Sequence, residues 1–234
     1  MKKICLVSLI VFALPIFGML PSGAAHLGAR FNLAIPQDEF DTYVDDIGFG
    51  GDFDLTYAIN PNLNLGIAGG YLKYGKETRT EPFSTTISTV NVDVITSNQI
   101  AYLHLLSRVS IGYSLVNPYI EGRVGGSYIW TDTQIRSEEF NDDDDVIAES
   151  KNFDDFAFNA GFGGGLQIRL KKPNEEVDGW TYLDLKVLYI YGSNAEYLTE
   201  GAIDDSSDDL DVTYNISESK TSLLEIQLGL NFVF

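Results

Sequence analysis

From residue 27 onward the chain alternates between apolar and polar or small residues. Leu27, Ala29, Phe31, Leu33 and Ile35 share one parity, and Gly28, Arg30, Asn32 and Ala34 share the other. A period of two marks a β-strand whose faces meet different surroundings. The pattern returns over 47–59, where Ile47, Phe49, Phe53, Leu55, Tyr57 and Ile59 oppose Gly48, Gly50, Asp52, Asp54 and Thr56. Asn60-Pro61-Asn62 follows as a tight turn. Further segments fall at 63–74, 95–113, 118–131, 156–170, 180–191 and 222–234, which makes eight strands. The connections alternate in length: 36–46, 75–93, 132–155 and 192–221 are long, while 60–62, 114–117 and 171–179 are shorter. Short turns at one end and long loops at the other predict an all-β fold, an eight-stranded antiparallel transmembrane up-and-down β-barrel.

The distribution of charge between the two parities sets the polarity of that barrel. Arg30, Arg108, Arg123, Arg169 and Lys186 share the polar parity with Asp52, Asp54, Glu121, Asp184 and Glu225, whereas the apolar parity carries only Lys73. A soluble barrel turns its apolar face inward; a membrane barrel turns it to lipid and its charges to the lumen. The aromatic residues agree. Tyr57 and Tyr113 mark one level of the apolar face, and Tyr71, Tyr128, Trp130, Phe156, Phe158, Tyr189 and Tyr191 mark the other, as two interfacial girdles would. Eight strands leave little free lumen. The ten inward charges are therefore read as a self-neutralising plug of ion pairs, the alternative being a narrow porin-like path for small solutes or ions.

Composition adds three restrictions. The 234 residues include 15 Lys and Arg against 34 Asp and Glu, a net charge of -19, so the clustered cations that nucleic acid requires are missing. With 44% apolar residues the chain has ample material to fold despite that charge. Met1-Lys2-Lys3, an apolar run over 4–19 and the small residues Ser22-Gly23-Ala24-Ala25 predict a cleaved signal peptide over 1–24, leaving 25–234 as the barrel. The single cysteine, Cys5, lies in that signal, so the mature chain is expected to hold no disulfide or thiolate ligand. Losing Lys2 and Lys3 takes the net charge to -21. The four long connections hold 26 of the carboxylates, so the acidity belongs to the loops.

The last strand reads Gln227-Leu228-Gly229-Leu230-Asn231-Phe232-Val233-Phe234. A polar residue, a glycine two positions on and spaced apolar residues ending in phenylalanine resemble the C-terminal signal of outer-membrane β-barrels. By that resemblance Gln227, Gly229, Phe232 and Phe234 address the barrel-assembly machinery. The segments 118–126 and 160–165, the latter Ala-Gly-Phe-Gly-Gly-Gly, are similar to the glycine-rich strands of small barrels of the OmpA-transmembrane-domain and OmpX type. The resemblance covers the mature chain as architecture and implies a monomer in the bacterial outer membrane, surrounded by its lipid. No peptidoglycan-binding domain is expected after the last strand.

Candidate chemistry is sparse. His26 falls at the expected mature N-terminus, and His104 falls inward beside Tyr102 and Arg108, with Ser110 and Ser127 as inward hydroxyls. A lipid-modifying barrel enzyme would need a nucleophile and an orienting carboxylate placed around such a base, and no spacing singles out a set. The reading is of a protein without catalytic site or cofactor. The acidic connections offer oxygen ligands of the kind Ca²⁺ or Mg²⁺ prefer, at Asp142, Asp143, Asp144 and Asp145 and at Asp204, Asp205, Asp208 and Asp209. Neither run has EF-hand spacing, and a solvated, self-repelling loop is the simpler reading. The expected function is structural or surface-interacting, with an extracellular ligand that composition does not name.

Overall fold

The computed structural model describes residues 24–44, 46–84, 87–112, 115–137, 146–170, 179–204 and 213–234; residues 1–23 of the expected signal peptide and Tyr113 lie outside them. The strands are β1 (Ala25–Pro36), β2 (Gly48–Ala58), β3 (Leu63–Ser84), β4 (Ile87–Ser110), β5 (Val116–Ser137), β6 (Val146–Arg169), β7 (Trp180–Gly192), β8 (Asn194–Asp204), β9 (Thr213–Lys220) and β10 (Leu223–Val233), with one short helix, α1 (Glu39–Tyr43). Eight of them close a barrel in the order β1-β10-β7-β6-β5-β4-β3-β2, while β8 and β9 form a separate two-stranded sheet. Every neighbouring pair is antiparallel, and β1 closes on β10 from His26 opposite Val233 to Pro36 opposite Leu223.

The barrel is inside out. Phe31, Phe53, Leu103, Leu105, Phe158 and Phe162 are more than half exposed, while Asp52, Arg108, Asp184 and Gln227 are inaccessible. That arrangement suits a surrounding of hydrocarbon and defines a transmembrane barrel. Close strand packing rests on glycine at the seam: a Cβ on Gly229 would lie 2.0 Å from the Ala29 carbonyl oxygen. Only glycine lets β10 approach β1 there.

The strands differ in length. β1, β2, β7 and β10 have 12, 11, 13 and 11 residues, close to the roughly 9–11 that cross a bilayer. β3, β4, β5 and β6 have 22, 24, 22 and 24. β2 leaves β3 at Phe49 opposite Lys73 and β7 leaves β6 at Gly192 opposite Asn159, yet β3 stays paired with β4 to Ser84 opposite Ile87, and β5 with β6 to Arg136 opposite Val146. A four-stranded sheet therefore continues past the rim, by about 35 Å along β3 at the usual rise per residue. The connections 75–93 and 132–155, expected as loops, are largely strand. Their alternation of apolar and polar residues fades where lipid no longer selects it, while backbone pairing carries on. Likewise 192–221 contains the β8–β9 hairpin, and 36–46 contains α1. The turn into α1 passes through Asp38, whose φ of 56° is uncommon for a residue with a side chain and whose carboxylate accepts a hydrogen bond from the Tyr189 hydroxyl at 2.8 Å.

Candidate functional site: the charged lumen and its cap

Period two on eight strands aims the polar parity of each strand at one narrow axis, and the charged residues meet there. Arg30 on β1 donates through Nε and Nη2 to Asp184 Oδ2 at 2.9 and 2.6 Å, and through Nη1 to Asp52 at 3.1 Å and to Asp54. Arg123 on β5 clasps Asp52 with two nitrogens, at 2.7 and 3.2 Å, and donates through Nε to Glu121 at 2.8 Å. Glu121 is the hub: it also takes Arg108 at 2.6 Å and Lys186 Nζ at 3.0 Å. Two phenols fill gaps between the carboxylates, Tyr119 donating to Asp184 at 2.7 Å and Tyr102 to Asp52 at 2.9 Å. The Arg108 guanidinium lies 4.8 Å from the centre of the Tyr119 ring. The ion-paired groups have side chains with no solvent exposure. Charges this deep persist because each cation meets a carboxylate and each of those carboxylates a cation.

Two of the ten inward charges stand apart. Arg169 is only half-buried at the turn end, with its guanidinium 5.0 Å from the Trp180 ring centre. Glu225 is buried, but meets no cation within 4.0 Å among the described residues; it accepts a hydrogen bond from Gln227 Nε2 at 2.7 Å and sits between Ala34 and Leu188 across the sheet. The buried lumen thus holds Arg30, Arg108, Arg123 and Lys186 against Asp52, Asp54, Glu121, Asp184 and Glu225.

Toward the loop end the lumen turns apolar. Leu72, Ile100 and Ile129 pair directly across β3, β4 and β5, and Ile190 pairs with Leu223 across β7 and β10; all five are buried. Above them lies a cap. Phe40 of α1 is inaccessible and packs edge-on against Tyr74 at 5.6 Å and Tyr197 of β8 at 5.2 Å, with Val44, Ala195 and Leu223 completing the cluster. The Tyr197 hydroxyl meets Ser219 of β9 at 2.6 Å, and burial pushes its phenol above the ordinary tyrosine value. Sequence reasoning missed this cap because Phe40 is one aromatic residue in an acidic connection read as loop.

The remaining candidates scatter. His104 is buried, stacked on Tyr102 at 5.0 Å, with Nε2 3.4 Å from Asn159 Oδ1; Ser127 is buried and pairs in register with Tyr102, and Ser110 lies at the turn end of β4. His26 is half-buried in β1. In the last strand Gln227 faces the lumen, Gly229 sits at the seam, Phe232 is half-buried and Phe234 is exposed. Asp142, Asp143, Asp144, Asp145, Asp205, Asp208 and Asp209 lie outside the described residues, and Asp204 ends β8 opposite Thr213.

A closed eight-stranded antiparallel barrel with lipid-facing apolar side chains and an ion-paired lumen is the class of protein this geometry defines: a small transmembrane β-barrel. No family profile and no curated protein matches the sequence. Among solved structures the chain is similar to Ail, the attachment invasion locus protein of Yersinia pestis, at 15% identity, covering 91% of this chain and 99% of that one with a TM-score of 0.40. It is also similar to Neisserial surface protein A, at 13% identity, 90% and 95% coverage and a TM-score of 0.38. A major outer membrane protein from Thermus thermophilus gives 14%, 90% and 99%, and 0.41. These neighbours are bacterial outer-membrane proteins.

Proposed function

We propose that the protein is a monomeric integral component of a bacterial outer membrane, with turns in the periplasm and the long sheet outside, whose role is structural and surface-interacting rather than catalytic or transporting. The observation that carries this reading is the four-stranded sheet standing on a closed barrel. An ion-paired layer, an apolar layer and an aromatic cap succeed one another along the lumen, so the fold invests in closure. The sheet beyond the rim leaves the β3 backbone over 74–84 without a neighbour opposite β4 among the described residues. An exposed edge of that length can accept an extended partner segment as an added strand. The last strand, with Gln227, Gly229, Phe232 and Phe234, serves assembly. Ail was solved with the heparin analogue sucrose octasulfate; the 26 loop carboxylates here, against five loop cations, have the wrong sign for such a polyanion.

Planar-bilayer recording of the purified protein tests the reading. The closed lumen gives a flat trace; steady, ohmic openings would replace the surface role with the narrow transport barrel. A change in membrane lipid composition on His104→Ala in cells would favour the lipid-modifying enzyme.

A further inference from the structure

The outer face of β3, β4 and β5, at the level where the barrel passes into the projecting sheet, carries an ordered set of side chains that the closed lumen does not use. Tyr71, Ala101 and Tyr128 stand in register across the three strands, and one step further out stand Lys73, Gln99 and Trp130. The Trp130 ring neighbours both tyrosines, 6.0 Å from Tyr71 at 48° and 5.4 Å from Tyr128 at 33°. Two of the three rings donate a polar hydrogen directly to a carboxylate, and the third reaches one through an amide. Trp130 Nε1 donates to Asp132 Oδ2 at 2.9 Å, and the Tyr128 hydroxyl donates to Asp154 at 2.5 Å. The Tyr71 hydroxyl donates to Gln99 Oε1, while Gln99 Nε2 donates to the same Asp132 oxygen at 2.5 Å.

We propose that this ridge binds a quaternary ammonium group, held against the faces of Trp130 and Tyr71 and beside the Asp132 carboxylate. A ring that donates its N–H or O–H to a carboxylate gains electron density, and chained hydrogen bonds reinforce one another. That strengthens the negative face on which a large, weakly hydrated cation rests. Other ligand classes fit less well. Ca²⁺ and Mg²⁺ demand a shell of oxygen ligands, and Asp132 Oδ2 already serves two N–H donors. Asp132 and Asp154 repel a phosphate or sulfate. Lys73, exposed in the same row, makes no ion pair or ring contact among the described residues, so the chain's own cation does not fill the place. The Asp132 and Asp154 carboxylates draw cations toward it.

The chain has two tryptophans, so Trp180→Phe leaves Trp130 as the sole indole reporter. With that variant in phosphatidylglycerol nanodiscs, choline chloride and tetramethylammonium chloride should change the fluorescence saturably, with half-saturation at about millimolar concentration. Sodium chloride and methyl glucoside at equal concentration should not. Asp132→Asn should weaken the response about fivefold, and Tyr71→Ala should weaken it as well, both with the folded band intact in heat-modifiable electrophoresis. Exchanging the lipid for phosphatidylcholine separates the sources of the ligand: loss of the choline response assigns the site to a lipid headgroup, and an unchanged response assigns it to a soluble ammonium compound. A change that is linear and equal for sodium, one matched by methyl glucoside, or one untouched by both substitutions overturns the proposal.

Discussion

Glu121 and Glu225 are one residue type at nearly equal depth, 1% and 2% exposed, in opposite electrostatic situations. Glu121 holds Arg108 at 2.6 Å, Arg123 at 2.8 Å and Lys186 at 3.0 Å. Glu121→Gln keeps the shape and removes the charge. Arg123 then retains Asp52, and Arg108 retains Asp54 at 3.2 Å, but Lys186 is left with Asp52 at 3.9 Å as its nearest carboxylate. Stranding a buried cation costs about 3–5 kcal/mol, so Glu121→Gln should destabilise the barrel by that amount. Glu225→Gln strands nothing, and its effect should stay within about 1 kcal/mol, since replacing an unpaired buried charge by a neutral group of equal size relieves desolvation. Equilibrium urea unfolding in lipid vesicles, read at unchanged m-value, measures both. The double variant Glu121→Gln/Lys186→Met should cost less than its two parts together, because removing the cation cancels the penalty of stranding it. Equal losses for the two glutamines, or strict additivity in the double variant, would refute the ion-pair account of the lumen.

Three further substitutions probe other parts of the molecule. Phe40→Ala empties the centre of the cap and should cost about 3–5 kcal/mol locally, releasing 36–46 to proteolysis while the barrel keeps its heat-modifiable band. Gly229→Val places side-chain atoms where a Cβ alone would already lie 2.0 Å from a backbone oxygen, so it should block closure of β1 on β10 and abolish the folded band. Arg123→Ala, which strips Asp52 and Glu121 of a shared partner, should cost about 3–5 kcal/mol in the same unfolding assay.

The strands that cross the membrane were legible because lipid on one side and a packed polar lumen on the other impose strict alternation on every residue. Arg30, Asp52, Asp54 and Glu121 could be assigned inward from parity alone. Parity carried no information about depth, so Arg169 and Arg123 looked alike in the sequence although one lies at the rim and the other at the hub. The upper halves of β3 to β6 were illegible for a related reason: past the rim neither face must be apolar, and a strand of mixed polar residues reads as loop. α1 and the β8–β9 hairpin join through Phe40, Tyr74 and Tyr197, which are far apart in the chain, and no local pattern announces such a contact. Tyr102 and Tyr119 fell on the inward parity, but their role in satisfying Asp52 and Asp184 emerges only from three-dimensional register.

Between residues 100 and 106, where β4 lies within the barrel wall, the odd-numbered leucines face lipid while the even-numbered apolar residues face a sealed lumen. Leu103 and Leu105 are exposed, whereas Ile100 and Leu106 are buried, although all four are similarly hydrophobic. Spin labels at these positions, in variants selected for the folded band and reconstituted in bilayers, test the claim by accessibility to oxygen and to a water-soluble nickel chelate. Labels at 103 and 105 should be open to oxygen and closed to nickel, and labels at 100 and 106 closed to both. Nickel access at 100 and 106 would mean an open pore, and equal oxygen access at all four positions would contradict the inside-out barrel.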